Sequence, residues 1–334
     1  MQRIPFEEVE SRLATVLRGL GISEERAQLC ARLFAEATCD GVYSHGVNRF
    51  ARFVAMVRNG SVNPAAVPRV VARLGAMERW DGQRGPGNLN AHAAMERVIE
   101  LSREHGIGCV ALANTNHWMR GGTYGWQAAD AGVIGICWTN TMPNVPPWGA
   151  VEPAIGNNPL VIAVPRAKGH VVLDMAMSQF SYGALEVYRR RGELLPMDGG
   201  FDSEGKLTRD PGAIEKSQRL LPVGYWKGSG LAVVLDLVAA MTSLGNATCH
   251  IARDPLRETA LSQVFVAMHP AALGDAARME QIADEVIGSL HRARSAEAER
   301  LVRYPGENTL HLRGENRRVG LPVDEAVWAE ICAM

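Results

Sequence analysis

The chain has 334 residues, 47% of them hydrophobic, enough to bury a large core as one big domain or two smaller ones. Lys and Arg total 35 against 36 for Asp and Glu, a formal net charge of -1, so no overall basic field draws nucleic acid or anionic lipid. The cysteines at 30, 39, 109, 137, 249 and 332 form no Cys-x-x-Cys pair, which suits reduced thiols in a core.

Residues 1–8 lack the apolar run of a signal peptide, and charges or glycines interrupt every long apolar stretch, so the expectation is a soluble cytoplasmic protein with no membrane contact. Residues 6–20 have helical periodicity and stop at Gly21. Ser23 is placed to cap a second helix that puts Ala27, Cys30, Phe34 and Ala37 on one face. Phe50, Phe53, Val54 and Val57 recur at i, i+3, i+4 and i+7 before Gly60, which predicts a third helix over about 47–59. From Val70 the pattern turns to strands, at 70–74, 107–112 and 133–139, with a helix at about 91–104 closing on Gly106.

Prolines at 143, 146, 147, 153 and 159, with a sixth at 165, make 140–165 an ordered loop leading into a short strand at 160–164. Residues 170–176 are strand-like, and a second loop spans 196–222. Residues 231–241 read as a mostly buried helix, 275–291 as an amphipathic one, and a small helix starts at Asp324. The fold class expected is α/β (α+β): a helical lobe of 1–69, joined by the terminal helix of about 320–334, packed on a mixed α/β body of 70–319 that binds cofactor and substrate.

The most chemical stretch is the decapeptide from Gly41 to Phe50. Ser44 and His45 fall at the mouth of the third helix, where unpaired N–H groups favour an anion and keep an imidazole neutral. Arg49, four residues on, carries a planar fork that matches a carboxylate in two bonds. A general acid and base, His45, beside a carboxylate anchor is one reading; a helix cap with a surface arginine is the other. His117 follows the strand at 107–112, and Asn140 follows that at 133–139. Side chains just past strand ends line α/β sites, so both are candidates for substrate oxygens.

No Gly-x-Gly-x-x-Gly or Walker spacing occurs, no His-x-x-x-His pair is present, and a hydride-transfer site needs no metal when an acid protonates the alkoxide.

Several blocks in register settle between the two readings. Tyr43-Ser44-His45-Gly46-Val47-Asn48-Arg49-Phe50, Asn116-His117-Trp118-Met119-Arg120-Gly121-Gly122, Tyr124-Gly125-Trp126-Gln127, Ile134-Gly135-Ile136-Cys137-Trp138-Thr139-Asn140 and Pro146-Pro147-Trp148-Gly149 together resemble the malate/L-lactate dehydrogenase family of NAD(P)-dependent reductases. The likeness continues through Phe180-Ser181-Tyr182-Gly183, Leu221-Pro222-Val223-Gly224-Tyr225-Trp226-Lys227-Gly228 and Ser262-Gln263-Val264-Phe265, so it covers nearly the whole chain. It implies a non-Rossmann α/β fold, a homodimer, and reduction of a sugar-derived α-keto acid by NADH, with NADPH as the alternative.

The resemblance also implies His45 as the catalytic residue, with Ser44, Arg49, His117 and Asn140 on the substrate. It implies a cofactor held by His170, Val171, Val172, Leu173, Asp174, Met175 and Ala176, by Trp226 and Lys227, and by Gly306, Glu307 and Asn308. Residues 142–145, Met-Pro-Asn-Val, depart from the family pattern between two matched blocks, which bears on the choice of keto acid. Competing readings are a reductase for another keto acid or a cyclic imine, a metal-independent sugar-acid lyase, and a sugar-acid binding protein. Nicotinamide binding separates the reductases from the other two.

Overall fold

The computed structural model describes residues 1–272, 274–296 and 301–334. Strand β1 (Gln2–Ile4) leads into α1 (Phe6–Gly19), α2 (Glu24–Cys39) and α3 (Phe50–Arg58). Ser23 stands at the N-cap of α2 in extended conformation, although its side chain makes no capping bond. Ala27, Cys30, Phe34 and Ala37 are buried, and Phe34 meets Phe50 edge-on at 5.3 Å and Phe53 at 5.5 Å, so α2 and α3 share one core.

The helix expected over 47–59 begins late. Two 3-10 turns, Tyr43–His45 and Val47–Arg49, precede α3, with Gly46 between them. Thr38 on α2 explains the break, because its Oγ1 accepts the Val47 N–H at 2.8 Å and thereby pulls the turn onto α2. A Cβ on residue 46 would fall on that Oγ1 and lie 2.7 Å from the Thr38 nitrogen, so only glycine fits.

Next come β2 (Arg69–Leu74), β3 (Met77–Asp81), α4 (Gly87–His105), β4 (Ile107–Asn116), α5 (Gly122–Asp130), β5 (Ile134–Thr139), β6 (Leu160–Val164) and β7 (Val171–Met175). An excursion follows of α6 (Tyr182–Arg191), β8 (Gly200–Phe201), β9 (Leu207–Thr208) and α7 (Pro211–Ser217), the last three within the stretch of 196–222 expected to be a loop. The chain continues with α8 (Trp226–Ser243), β10 (Thr259–Met268), α9 (Ala276–His291), α10 (Glu307–Val319), β11 (Leu321–Val323) and α11 (Glu325–Cys332).

Seven strands form one mixed sheet in the order β2-β3-β4-β10-β5-β6-β7, in which only β3 and β4 run parallel. The centre of β10 is buried on both faces, Leu261 to Phe265 without interruption, because α4 packs on one side of it and α8 on the other. Strand β3 escaped the sequence pattern because of its charges: Glu78 is buried, bound by the Trp80 Nε1–H at 2.8 Å and by Arg97 at 3.0 Å. One hydrophobic cluster holds α1, α2 and α3 together with Leu321, Val323 and Ile331; a second lies between the sheet, α4 and α5. Strand β1 pairs antiparallel with β11, Gln2 opposite Val323.

The reading of 231–241 as a mostly buried helix is corrected. Helix α8 starts earlier, at Trp226, and turns Val234, Leu237 and Met241 outward, half or more exposed at 53, 50 and 70%. Its one carboxylate, Asp236, faces inward to Asn140 and the Thr248 amide. Among the described residues no helix is long and apolar enough to cross a membrane.

Candidate active site

The turn that Gly46 permits presents Ser44, His45 and Arg49 to one partly open space, and the loop after β4 brings in His117. The His45 and His117 rings lie nearly parallel, centroids 5.6 Å apart and planes at 20°. Ser44 Oγ lies 3.0 Å from His45 Nδ1, which leaves Nε2 for a ligand. The Met119 N–H donates to His117 Nδ1 at 3.0 Å, so the neutral ring carries its proton on Nε2.

Burial pushes the His45 imidazole down to about 4, and the cations Arg49, Arg120 and Arg52 push the same way. Burial also holds His117 well below the ordinary histidine value, again with Arg49 adding to it. Arg49 is itself lowered to about 10, chiefly by burial and then by Arg52. Among the described residues its guanidinium has no hydrogen bond and no ion pair. A partly buried, unpaired cation beside two neutral imidazoles suits a carboxylate with an adjacent carbonyl oxygen.

Further residues border this space that the sequence did not single out. Arg52 follows Arg49 by three and gives Nε and Nη2 to the Pro255 carbonyl, Nε at 3.1 Å. Its Nη2 lies 3.8 Å from Glu258 Oε2. Gly183 near the start of α6 lies so close that an added Cβ would stand 2.7 Å from the Ser44 Cβ, so α6 caps the serine. Behind the histidines, Arg120 pairs with Asp40, which Arg313 also grips through two bonds of 2.7 Å. Only the spacing of Arg52 from Arg49 was a signal in the sequence; the other contacts bridge distant segments.

Asn140 is corrected as a substrate donor. It is fully buried, gives its amide hydrogens to Asp236 at 2.8 Å and the Asn246 carbonyl at 2.7 Å, and accepts the Ser262 N–H at 2.8 Å. Neither amide hydrogen is left to donate to a ligand; the side chain ties β5 to α8 and β10.

Of the segments expected to hold a cofactor, residues 170–176 and 306–308 meet. The Val172 N–H donates to the Pro305 carbonyl at 2.9 Å, and an added Cβ on Gly306 would lie 3.1 Å from the Val172 nitrogen. Gly306 sits at φ +94°, a conformation suited to glycine, at the N-cap of α10. Strand β7 is the sheet edge, and alternation along it turns the Asp174 N–H outward like that of Val172, with no partner among the described residues.

The Asp174 carboxylate accepts the Gly122 N–H at 2.8 Å. His170 is already engaged, accepting the Arg166 N–H on Nδ1 at 3.0 Å and meeting Asp130 on Nε2 at 2.9 Å. At the other end of β7, Met177 pairs with Val223 just before Trp226 and Lys227, both exposed. A cleft of about 420 Å³ between α2, α5 and α10 is lined by Trp126, which packs against His170; His45, Arg49 and His117 do not line it. Among the described residues no three His, Cys, Asp or Glu side chains gather as a metal site.

A family model described as malate/L-lactate dehydrogenase matches residues 4–332. The chain is 48% identical over 332 residues to the 2,3-diketo-L-gulonate reductase of Escherichia coli (strain K12 / DH10B), covering 99% of this chain and all of that one. Among solved structures it is similar to the sulfolactate dehydrogenase from Methanocaldococcus jannaschii, with TM-score 0.91 and 28% identity over 99% of this chain and 97% of that one. The malate dehydrogenase from Entamoeba histolytica, 24% identical with TM-score 0.94 over 99% of this chain and 96% of that one, shares the fold.

Proposed function

The chain belongs to the malate/L-lactate dehydrogenase family and is an oxidoreductase of it, and on that premise we propose that it reduces the 2-carbonyl of 2,3-diketo-L-gulonate to give 3-dehydro-L-gulonate. A reduced nicotinamide supplies the hydride, NADH in preference to NADPH. The observation that carries the reading is the unpaired Arg49 beside the neutral His45 and His117, in a chain so similar to named reductases of that substrate.

Arg49 takes the substrate carboxylate in its fork and thereby fixes which face of the 2-carbonyl is presented. His45 Nε2 delivers a proton to the carbonyl oxygen, and in the reverse direction takes it from the hydroxyl. Ser44 Oγ, bound to Nδ1, sets the plane of that ring, and His117 Nε2–H donates to a neighbouring oxygen. Pairing of Arg49 with a carboxylate cancels one of the cations that depress His45, so the imidazole gains basicity as the substrate arrives.

The outward Asp174 N–H on an exposed strand edge and the close-packed Gly306 turn fit a dinucleotide held along residues 170–176 and 306–308, with Trp226 and Lys227 beyond Met177. We read the protein as a cytoplasmic homodimer, the apolar outward stretch of α8 from Leu231 to Met241 being suited to a self-complementary contact. The division into a lobe of 1–69 with 320–334 and a body of 70–319 is supported by the two hydrophobic clusters.

The test is absorbance at the reduced-nicotinamide band with NADH or NADPH and a panel of α-keto acids. Oxidation with 2,3-diketo-L-gulonate well above pyruvate and oxaloacetate is expected. Turnover only with another keto acid would discard the substrate, and absence of cofactor binding would discard the whole reading.

A further inference from the structure

Glu258 is buried, 4% exposed, at the turn that leads into β10. Its Oε1 accepts the Met142 N–H at 3.2 Å. Its Oε2 has no hydrogen-bond donor among the described residues: the nearest cation, Arg52 Nη2, lies 3.8 Å away and is bonded to the Pro255 carbonyl. A carboxylate oxygen held only by one long ion pair keeps lone pairs free for a donor that arrives from outside. The backbone supports the same view. Two residues on, Ala260 sits at φ +59°, and the pairing of β10 with β4 slips between Thr259 and Leu261. Bulges of this kind re-aim side chains beside sites, and left-handed backbone at a residue with a side chain is strain that the surroundings impose.

Glu258 belongs to the substrate space. Burial lowers Arg49 and Arg52 and the charge of Glu258 opposes that shift, while Arg52 acts on both His45 and His117, so one cluster contains all five groups. Met142, which holds Oε1, opens the stretch of 142–145 that departs from the family blocks. A 2-keto acid occupies Arg49 and the histidines with its carboxylate and carbonyl. What Glu258 lacks is a donor, and a substrate chain bearing hydroxyls brings one.

We propose that Glu258, held by Met142 and faced by Arg52, accepts hydroxyl hydrogens of the substrate chain and so selects polyhydroxylated 2-keto acids over bare ones. This rests on the reductase reading and adds a specificity residue to it.

The experiment compares the full-length wild type with Glu258→Gln and Glu258→Asp, with NADH. It records kcat and KM for 2,3-diketo-L-gulonate and the inhibition constant of oxamate, which carries a carboxylate and a carbonyl but no hydroxyl. Gln keeps an acceptor for the Met142 N–H and removes the charge. KM for the sugar acid should rise about tenfold, the gap between a charge-assisted and a neutral hydrogen bond, with kcat held and oxamate inhibition no weaker, since loss of a negative charge near Arg49 does not hinder a carboxylate. Asp, which retains the charge, should give a smaller rise.

An unchanged KM in Glu258→Gln, or a KM that rises together with the oxamate constant, overturns the proposal. Failure of both variants to fold also overturns it, by making Glu258 part of the architecture. If the wild type itself reduces only bare keto acids, the substrate reading falls first, and that failure is visible before any variant is made.

Discussion

The depressed imidazole of His45 gives the sharpest kinetic expectation. With the ring at about 4 in the free site, about one molecule in a thousand carries the proton at pH 7. Reduction needs that proton, so kcat/KM, which reports the free enzyme, should rise about tenfold for each unit of acidification from pH 8 to pH 5. The apparent pKa in kcat should lie higher than that in kcat/KM, because the bound carboxylate offsets Arg49. The assay is nicotinamide absorbance in buffers of constant ionic strength, with His45→Ala as the reference. That variant should bind nicotinamide normally and turn over about a hundredfold more slowly or worse, without the acid limb. A flat profile from pH 5 to 8 in the wild type would refute His45 as proton donor.

The same group links folding to pH. Its folded value lies below the ordinary 6.5, so as pH falls from about 6.5 to about 4 the unfolded chain gains a proton that the folded one refuses, and up to about 3 kcal/mol of stability is lost. His117 acts in the same direction.

Arg49→Ala should raise KM for the keto acid about a hundredfold with a smaller change in kcat, since a charge-assisted bidentate contact is lost; an unchanged KM would place the carboxylate elsewhere. Gly46→Ala puts a methyl against Thr38 Oγ1 and 2.7 Å from the Thr38 nitrogen, so urea unfolding should show about 1–3 kcal/mol lost, together with slowed turnover as the His45 turn shifts. Asp40→Asn leaves Arg120, 5% exposed, without its counter-ion and should cost about 3–5 kcal/mol in the same assay. Gly306→Ala should weaken nicotinamide binding in a fluorescence titration, because φ +94° and the 3.1 Å approach to Val172 exclude a side chain.

The elements legible in the sequence were those whose burial follows one period. The strands at 107, 134 and 160 and the helices beginning at Phe6, Glu24, Ala276 and Glu325 all carry it, and Asp275 and Asp324 cap the last two as their side chains suggest. What escaped depends on long-range partners. Strand β3 carries a buried Glu78 because Arg97, on α4, neutralises it from outside the local pattern, while Trp80 within the strand gives it an N–H. Helix α8 looked buried because its sequence is apolar nearly all round, and hydropathy does not say which side of a helix a fold covers.

At the site, the chemistry of Ser44, His45 and Arg49 was readable from residue types and spacing, and the stacking of His117 on His45 matched its place after β4. The helix mouth expected there was replaced by two 3-10 turns, because Thr38, on another helix, captures the Val47 amide. Asn140 had the right position and the wrong surroundings to donate: Asp236 and Asn246, about a hundred residues distant, take both its amide hydrogens, and the Ser262 N–H occupies its oxygen. Glu258 had no local motif at all, and only the fold brings it to Arg52.

The pairing of β1 with β11 has a consequence for biosynthesis. The core that supports His45 includes Ile4 and Phe6 as well as Leu321, Val323 and Ile331, so segments more than 300 residues apart close one cluster. Helices α1 to α3 are made early but wait, with one flank uncovered, for more than 250 further residues before their sheet and last helix arrive. During that interval the core beneath the catalytic turn lacks Leu321, Val323 and Ile331, so the turn is fixed only once distant segments have joined it.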